Sequence, residues 1–213
     1  MKSSTLFAAV KNFFYVSFGP HMLLLAECIG RFGGPWKKHW YLSDGGHFEL
    51  TGAYELIRRR VPFIVTIDVG ADPKNEGQVL AWLSRLTRID FGAKFKEVSP
   101  DDNRIPQEIQ EQLGKVSDVF CGPGEQPSKH GVLFEVTFEG EDENAADHWN
   151  GRTHCWLLYV RATTVGDESV DIRNYQFENP DFPNESTLDQ FFDEPQWESY
   201  RMLGEHIGAK FFI

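Results

Sequence analysis

The apolar positions of one stretch near the start of the chain predict a strand, a tight turn and a helix in succession. Residues 40–42 have the aromatic and aliphatic character of a buried strand. Gly45 and Gly46 follow and permit a sharp turn, while residues 53–57 carry apolar side chains at helical spacing. The three arginines at 58–60 suit the C-terminal end of that helix, where the macrodipole favours cations.

A second apolar run over 61–69 predicts another buried strand, which ends at Asp68. Two strands joined by a helix imply a parallel pair with a right-handed crossover. Asp44 and Asp68 would then both lie at the carboxyl edge of a sheet, where the clefts of open α/β folds are found. We therefore expect Asp44 to be a catalytic acid and Asp68 to support the same cleft.

The pattern continues to the C-terminus with alternating helices and strands. It first predicts a helix that starts at the capping box 75–78 and ends near Arg88, a strand over 91–98 and a short amphipathic helix over 105–113. A mostly antiparallel strand pair follows at 132–138 and 155–160. After a polar segment over 163–183, two capped helices are predicted at 188–192 and 197–207. No internal repeat or linker marks a second domain, so residues 1–213 are expected to form a single one.

The first thirty residues carry an unusually heavy apolar load for the outside of a small domain. Their periodicity predicts two short helices, with Gly19 and Pro20 resetting the chain between them. Two interpretations remain open for residues 5–29: core helices, or a hairpin that faces a membrane surface or a partner. The uninterrupted apolar run 22–26 is too short for a spanning helix, and no signal peptide fits the start.

Charge and cysteine content narrow the function classes. The net charge of -11 opposes binding to phosphate backbones, so we do not expect a nucleic-acid partner. Three cysteines without metal-like or redox spacing suit a reducing compartment, which favours a cytoplasmic location, including a location peripheral to a membrane. The share of hydrophobic residues, 41%, indicates a globular chain.

The serine-nucleophile pattern is missing. No Gly-x-Ser-x-Gly motif occurs, and Ser17 and Ser43 have tyrosines where its first glycine would stand. A metal hydrolase would draw its ligands from His47, Glu49, His148 and His154, together with Asp44 or Asp68. The spacing is poor, because His148 and His154 stand six residues apart and match no helical or short-turn ligand pattern. We expect no metal and no cofactor, with His47 and Glu49 orienting the loop after Asp44.

Three segments resemble the C-terminal part of the bacterial patatin-like phospholipases. They are residues 41–60 (YLSDGGHFELTGAYELIRRR), residues 67–73 (IDVGADP) and residues 182–201 (FPNESTLDQFFDEPQWESYR). The likeness therefore extends from about Tyr41 to near the C-terminus. Asp44, within Asp-Gly-Gly, matches the acid of that family's Ser-Asp dyad.

The resemblance implies a three-layer α/β/α fold and hydrolysis of lipid acyl esters without a catalytic histidine. The family's oxyanion loop and serine elbow precede the Asp-Gly-Gly, and this sequence has neither. We therefore expect an incomplete patatin-like domain that is inactive alone unless an upstream chain supplies the nucleophile. The alternative is a non-catalytic module on the same scaffold that binds a membrane or a partner.

Overall fold

The computed structural model describes residues 16–31, 34, 36, 44–139, 153–186, 188 and 190–212. The chain divides into two compact units, Met1–Asp44 and Gly45–Ile213, and the sheet lies in the second. The predicted strand over 40–42 lies outside the described residues, as do the first of the two predicted N-terminal helices and His148.

The second unit is built on a mixed four-stranded sheet with the order β1-β4-β3-β2. Its strands are β1 (Phe63–Asp68), β2 (Ala93–Glu97), β3 (Gly131–Phe138) and β4 (His154–Arg161). β1 and β4 run parallel, whereas β3 is antiparallel to both β4 and β2. The predicted strands downstream of residue 60 and the antiparallel pair are confirmed, and the fold class is mixed α/β.

Helices occupy both faces of this sheet. The described helices are α1 (16–28), α2 (Ala53–Arg58), α3 (Gln78–Phe91), α4 (Gln107–Gln110), α5 (Val116–Val119), α6 (Val170–Glu178) and α7 (Glu194–Phe212). On one face Ile64, Leu157 and Tyr159 pack with apolar side chains of α2 and α3. On the other face Leu158 and Val160 pack with side chains of α6 and α7. Because successive side chains of a strand point to opposite faces of the sheet, each face has its own apolar core.

The N-terminal region departs from the prediction of a break at Gly19 and Pro20. The described helix α1 runs from 16 to 28 without interruption, so these two residues are helical. Proline lacks a backbone N–H donor but has a φ compatible with a helix, and the helix continues past Pro20 without that donor. Residues 19 and 20 therefore do not separate two helices.

Near the C-terminus, one predicted helix is wrong and one observed helix was not predicted. Leu188, predicted to open a helix, is 93% exposed, and it and the described residues 190–193 are not helical. Isolated apolar side chains without a layer to pack against do not fix a helix. The opposite error occurs at α6, which forms within a segment predicted to be a polar tail and buries Ile172.

Helix boundaries follow contacts that the sequence pattern did not show. α3 begins at Gln78, one residue after a left-handed Gly77, and no side chain caps it, so the predicted capping box is wrong. Instead the Asp72 carboxylate accepts the Gly77 N–H at 2.7 Å. α7 does begin beside its predicted cap, because Asp193 accepts the Gln196 N–H at 2.9 Å, but it continues through Gly208 to Phe212.

We predict opposite effects on stability for two alanine substitutions, one where β3 packs tightly against α7 and one at an uncrowded position of α7. A Cβ at Gly131 would lie 2.7 Å from Phe211 Cζ, so Gly131→Ala overpacks the core and should lower the free energy of unfolding by about 1–3 kcal/mol. Gly204 lies in α7 with nothing within 4 Å of the added Cβ, so Gly204→Ala should raise it by about 0.5–1 kcal/mol. Urea unfolding of both variants measures the two changes, and an unchanged Gly131→Ala stability would contradict the packing of α7 on β3.

Candidate functional site

The two glycines of the Asp-Gly-Gly stretch begin a tight turn. Asp44 is exposed, and Gly45–His47 form a single 3-10 turn that leads towards α2. A Cβ at Gly45 would meet nothing within 4 Å. The turn that the glycines predict is therefore present, with His47 as its last residue.

Glu49 organises the chain between this turn and α2. It is 8% exposed, and its Oε1 accepts the Thr51 N–H at 2.8 Å and the Thr51 hydroxyl at 2.6 Å. Its Oε2 accepts the Tyr54 N–H at 3.4 Å. A carboxylate beside the first turn of a helix satisfies donors that the helix itself leaves open. Glu49 thus fixes how the loop after Asp44 joins α2.

Asp68 lies at the carboxyl end of β1 in a buried ionic network. It is 3% exposed, and its Oδ2 contacts Arg161 Nη1 at 2.8 Å while accepting the Tyr159 hydroxyl at 2.7 Å. Its Oδ1 accepts the Gly70 N–H at 2.8 Å. Burial and the Asp68 carboxylate raise the pKa of Tyr159, so this hydroxyl remains a donor. The carboxylate holds the sheet edge and has little capacity left for a substrate.

Arg161 extends the network beyond β4, and sequence analysis did not identify it. Its Nη1 also donates to the Gly70 carbonyl at 2.7 Å, and its Nη2 donates to Asn184 Oδ1 at 3.0 Å. The same Asn184 oxygen accepts the Asp72 N–H at 2.9 Å. Arg161 directly follows the predicted strand over 155–160, and this position was the signal in the sequence that could have identified it as a partner for Asp68.

A small apolar groove begins at Gly46, two residues after Asp44 in the sequence. Its volume is about 140 Å³, and half-exposed Phe48, Leu50 and Trp82 form much of its wall. Ligand sites for drug-sized molecules usually have volumes of roughly 300–1,000 Å³. The groove therefore suits one short apolar group more than a whole lipid.

A larger polar cavity of about 420 Å³ lies at the carboxyl ends of β1 and β4. Thr163, Thr164 and Gln176 line it, together with Asp72 and Arg161. Asp72 Oδ1 and Arg161 Nε are buried without a hydrogen-bond partner among the described residues. This is the sheet edge at which the sequence predicts a cleft, and its described walls are polar.

The structure brings together a different group of potential metal ligands from the one considered in the sequence. Among the described residues, His47, Glu49 and His154 are not brought into a common group. The residues that are brought together are His130, Asp167, Glu168 and His206. Burial first, and the Lys210 ammonium second, lower the pKa of His130 to about 4, so its imidazole is neutral at pH 7.

Comparison with known proteins gives no relative for this chain. No protein-family model, no curated protein and no solved structure matches it. The chemistry of the site therefore has to be argued from the residues themselves.

We predict that Asp68 contributes mainly to stability. Asp68→Asn leaves the buried Arg161 without its counter-charge and should lower the free energy of unfolding by about 3–5 kcal/mol in urea titrations. Glu198→Gln, which removes one carboxylate from an exposed pair with Arg201, is the control and should change it little. Equal losses in the two variants would contradict a buried role for Asp68.

Proposed function

We propose that this chain is the Asp44-bearing C-terminal portion of a patatin-like lipid acyl hydrolase. The observation that carries the proposal is the Asp44-Gly-Gly sequence, which leads through the Gly45–His47 turn into α2 and then β1, the order of elements that the sequence pattern predicts after this motif. In that role Asp44 is the base of a Ser-Asp dyad, and the chain contributes half of the catalytic machinery.

The chemistry assigned to Asp44 needs a partner hydroxyl. A carboxylate that accepts the proton of a serine Oγ–H lets that oxygen attack the acyl carbonyl and form an acyl-enzyme, which water then hydrolyses. Donors for the oxyanion complete such a site. Without the serine, Asp44 can orient a water molecule but cannot form the covalent intermediate.

The local surroundings of the turn agree with an acyl substrate. The groove that starts at Gly46 has apolar walls formed by Phe48, Leu50 and Trp82. Apolar walls of this kind favour a hydrocarbon group over a charged one, because burial of apolar surface is favourable and burial of an unpaired charge is not. The groove therefore supports a substrate with an acyl chain.

The exposed face of β1 supports the view that further protein belongs against it. Phe63, Val65 and Ile67 are 55%, 38% and 58% exposed, although the sequence predicts a buried strand. Within the described residues, β1 pairs with β4 alone. Contiguous exposed apolar side chains on a strand commonly mark a surface that another element covers. An upstream portion carrying the serine elbow fits that requirement.

Helix α1 favours a second candidate function, a module that binds a membrane surface or a partner. Leu23, Leu24 and Leu25 are 49%, 59% and 58% exposed, and successive helical positions point about 100° apart. The helix thus presents apolar side chains in several directions. None of the described helices combines the length and apolarity needed to cross a membrane.

We predict that acyl-ester hydrolysis requires both Asp44 and a supplied serine. The chain alone should hydrolyse p-nitrophenyl butyrate no faster than background. Joined to an upstream segment with a Gly-x-Ser-x-Gly elbow and its oxyanion loop, it should become active. Asp44→Asn should then reduce kcat/KM by about 10²–10⁴-fold, the usual contribution of a general base.

Asp101→Asn is the matched control for this assay, because Asp101 is an exposed acid in a loop of the second unit and should leave the rate unchanged. Circular dichroism of each variant verifies the fold. Activity of the joined protein that survives Asp44→Asn would rule out the dyad role.

For the binding module, we predict that α1 carries lipid affinity. The chain should float with phosphatidylcholine vesicles, and the double substitution Leu24→Glu and Leu25→Glu should abolish flotation because charged groups resist transfer into the apolar region. Leu188→Glu, at an apolar site outside α1 that is 93% exposed, should have no effect. If the chain is a monomer in size-exclusion chromatography and does not float with vesicles, both the membrane-binding and the partner-binding forms of this proposal would be contradicted.

A further inference from the structure

Four potential metal ligands from separate parts of the second unit meet beside the end of α7. His130 directly precedes β3, Asp167 and Glu168 lie in the loop between β4 and α6, and His206 belongs to α7. One ligand atom from each of the four lies within 4.8 Å of the others. They are far apart in sequence, so the fold itself assembles the group.

The closest contacts involve Asp167 and two residues one helical turn apart. Its Oδ1 lies 2.8 Å from His206 Nε2, and its Oδ2 accepts Lys210 Nζ at 2.6 Å. Lys210 Nζ is also 3.3 Å from His130 Nε2. A cationic group thus already sits among a carboxylate and two imidazoles, which shows that the arrangement attracts positive charge.

His130 gives independent support for a ligand. It is 2% exposed, and its Nδ1 is buried without a hydrogen-bond partner among the described residues. Buried polar atoms of this kind are uncommon and call for an explanation, since an unsatisfied group costs about 1–3 kcal/mol. The other ring nitrogen, Nε2, faces Lys210 Nζ at 3.3 Å, and the ring centroid lies 6.0 Å from that of His206.

Glu168 is held in a fixed orientation inside the same cluster. It is 6% exposed, and its two carboxylate oxygens accept the N–H groups of Val165 at 2.6 Å and Gly166 at 2.9 Å. Each oxygen keeps a further lone pair for another partner. Hydrogen bonds that orient a ligand carboxylate are typical of metal sites, where they limit the rearrangement that binding requires.

We propose that His130, Asp167, Glu168 and His206 bind a divalent transition-metal ion of the zinc class, and that the ion displaces the Lys210 ammonium. Imidazole nitrogens and carboxylate oxygens are suitable ligands for Zn²⁺ at about 2.0–2.2 Å. Such bonds place neighbouring ligand atoms about 3–3.6 Å apart, so the group must contract by about 1 Å. The Asp167 side chain, 57% exposed, is free to make that movement.

The proposal is independent of lipid hydrolysis. The ligands come from the start of β3, the loop before α6 and the last third of α7, so the ion would cross-link these elements. Lys210 is the competing occupant, because two cations cannot share the space that Asp167 offers. Its four-carbon side chain, 16% exposed, can turn towards solvent when a metal binds.

The test is a titration of the untagged, chelator-treated full chain with Zn²⁺, followed by metal analysis after gel filtration. The wild-type chain should retain one equivalent, and its melting temperature should rise with zinc concentration. Lys210→Met should tighten binding by at least about tenfold by removing the competing charge. Co²⁺ should give visible absorption bands whose wavelength and intensity report a mixed nitrogen and oxygen ligand set.

Ligand and control variants separate this site from adventitious binding. His206→Gln and Asp167→Asn, both near the surface, should weaken zinc binding by at least about 100-fold, more than loss of an outer-shell contact costs. His130→Gln should do the same, but its burial makes the other two variants the decisive ones. His154→Gln and His21→Gln, which alter exposed histidines outside the cluster, should leave binding unchanged.

Two results would overturn the proposal. One is the failure of both the wild-type chain and Lys210→Met to retain zinc, which would show that the cluster has no affinity for the ion even without the competing ammonium. The other is retention that survives His206→Gln and Asp167→Asn, which would place the metal elsewhere. Neither result bears on Asp44, whose role is measured by ester hydrolysis.

Discussion

The carboxyl edge of the sheet depends on one buried ion pair between neighbouring parallel strands. The register of β1 and β4 places Asp68 beside Arg161, and both side chains are almost fully removed from water. Each charge would be costly alone, so loss of either partner would leave the other buried and unpaired between the two strands, beside the Tyr159 hydroxyl. Through Asn184, the same arginine also holds the loop that follows α6.

Because this network uses the hydrogen-bonding capacity of Asp68, it limits where chemistry can occur. Asp68 binds a guanidinium, a hydroxyl and a backbone N–H, and Glu49 is occupied at the start of α2. The acids predicted around the turn thus have different tasks: Asp68 and Glu49 fix the scaffold, and Asp44 is the base in the function proposed above. That division agrees with a site in which one carboxylate acts on a nucleophile supplied by another part of the protein.

The strands downstream of residue 60 could be predicted because their signal is local. Alternating β-branched and aromatic residues mark β1, β3 and β4, and Asp193 marks the start of α7. Partners distant in sequence could not be predicted in the same way. Three such features depend on tertiary contacts: the Asp72 carboxylate that replaces the capping box, the approach of Lys210 to His130, and the pairing of Asp68 with Arg161. The exposed Phe63 on β1 shows the same limit, since apolar sequence indicates burial without naming the element that provides it.

The exposed apolar side chains of β1 have a consequence for how the isolated chain behaves in solution. Phe63, Val65 and Ile67 are 55%, 38% and 58% exposed, and contiguous apolar surface of this kind favours association with another protein surface. We expect copies of the chain to associate through this surface, and the net charge of -11 opposes that association most at low ionic strength. Salt, which screens that repulsion, would therefore promote self-association of this protein.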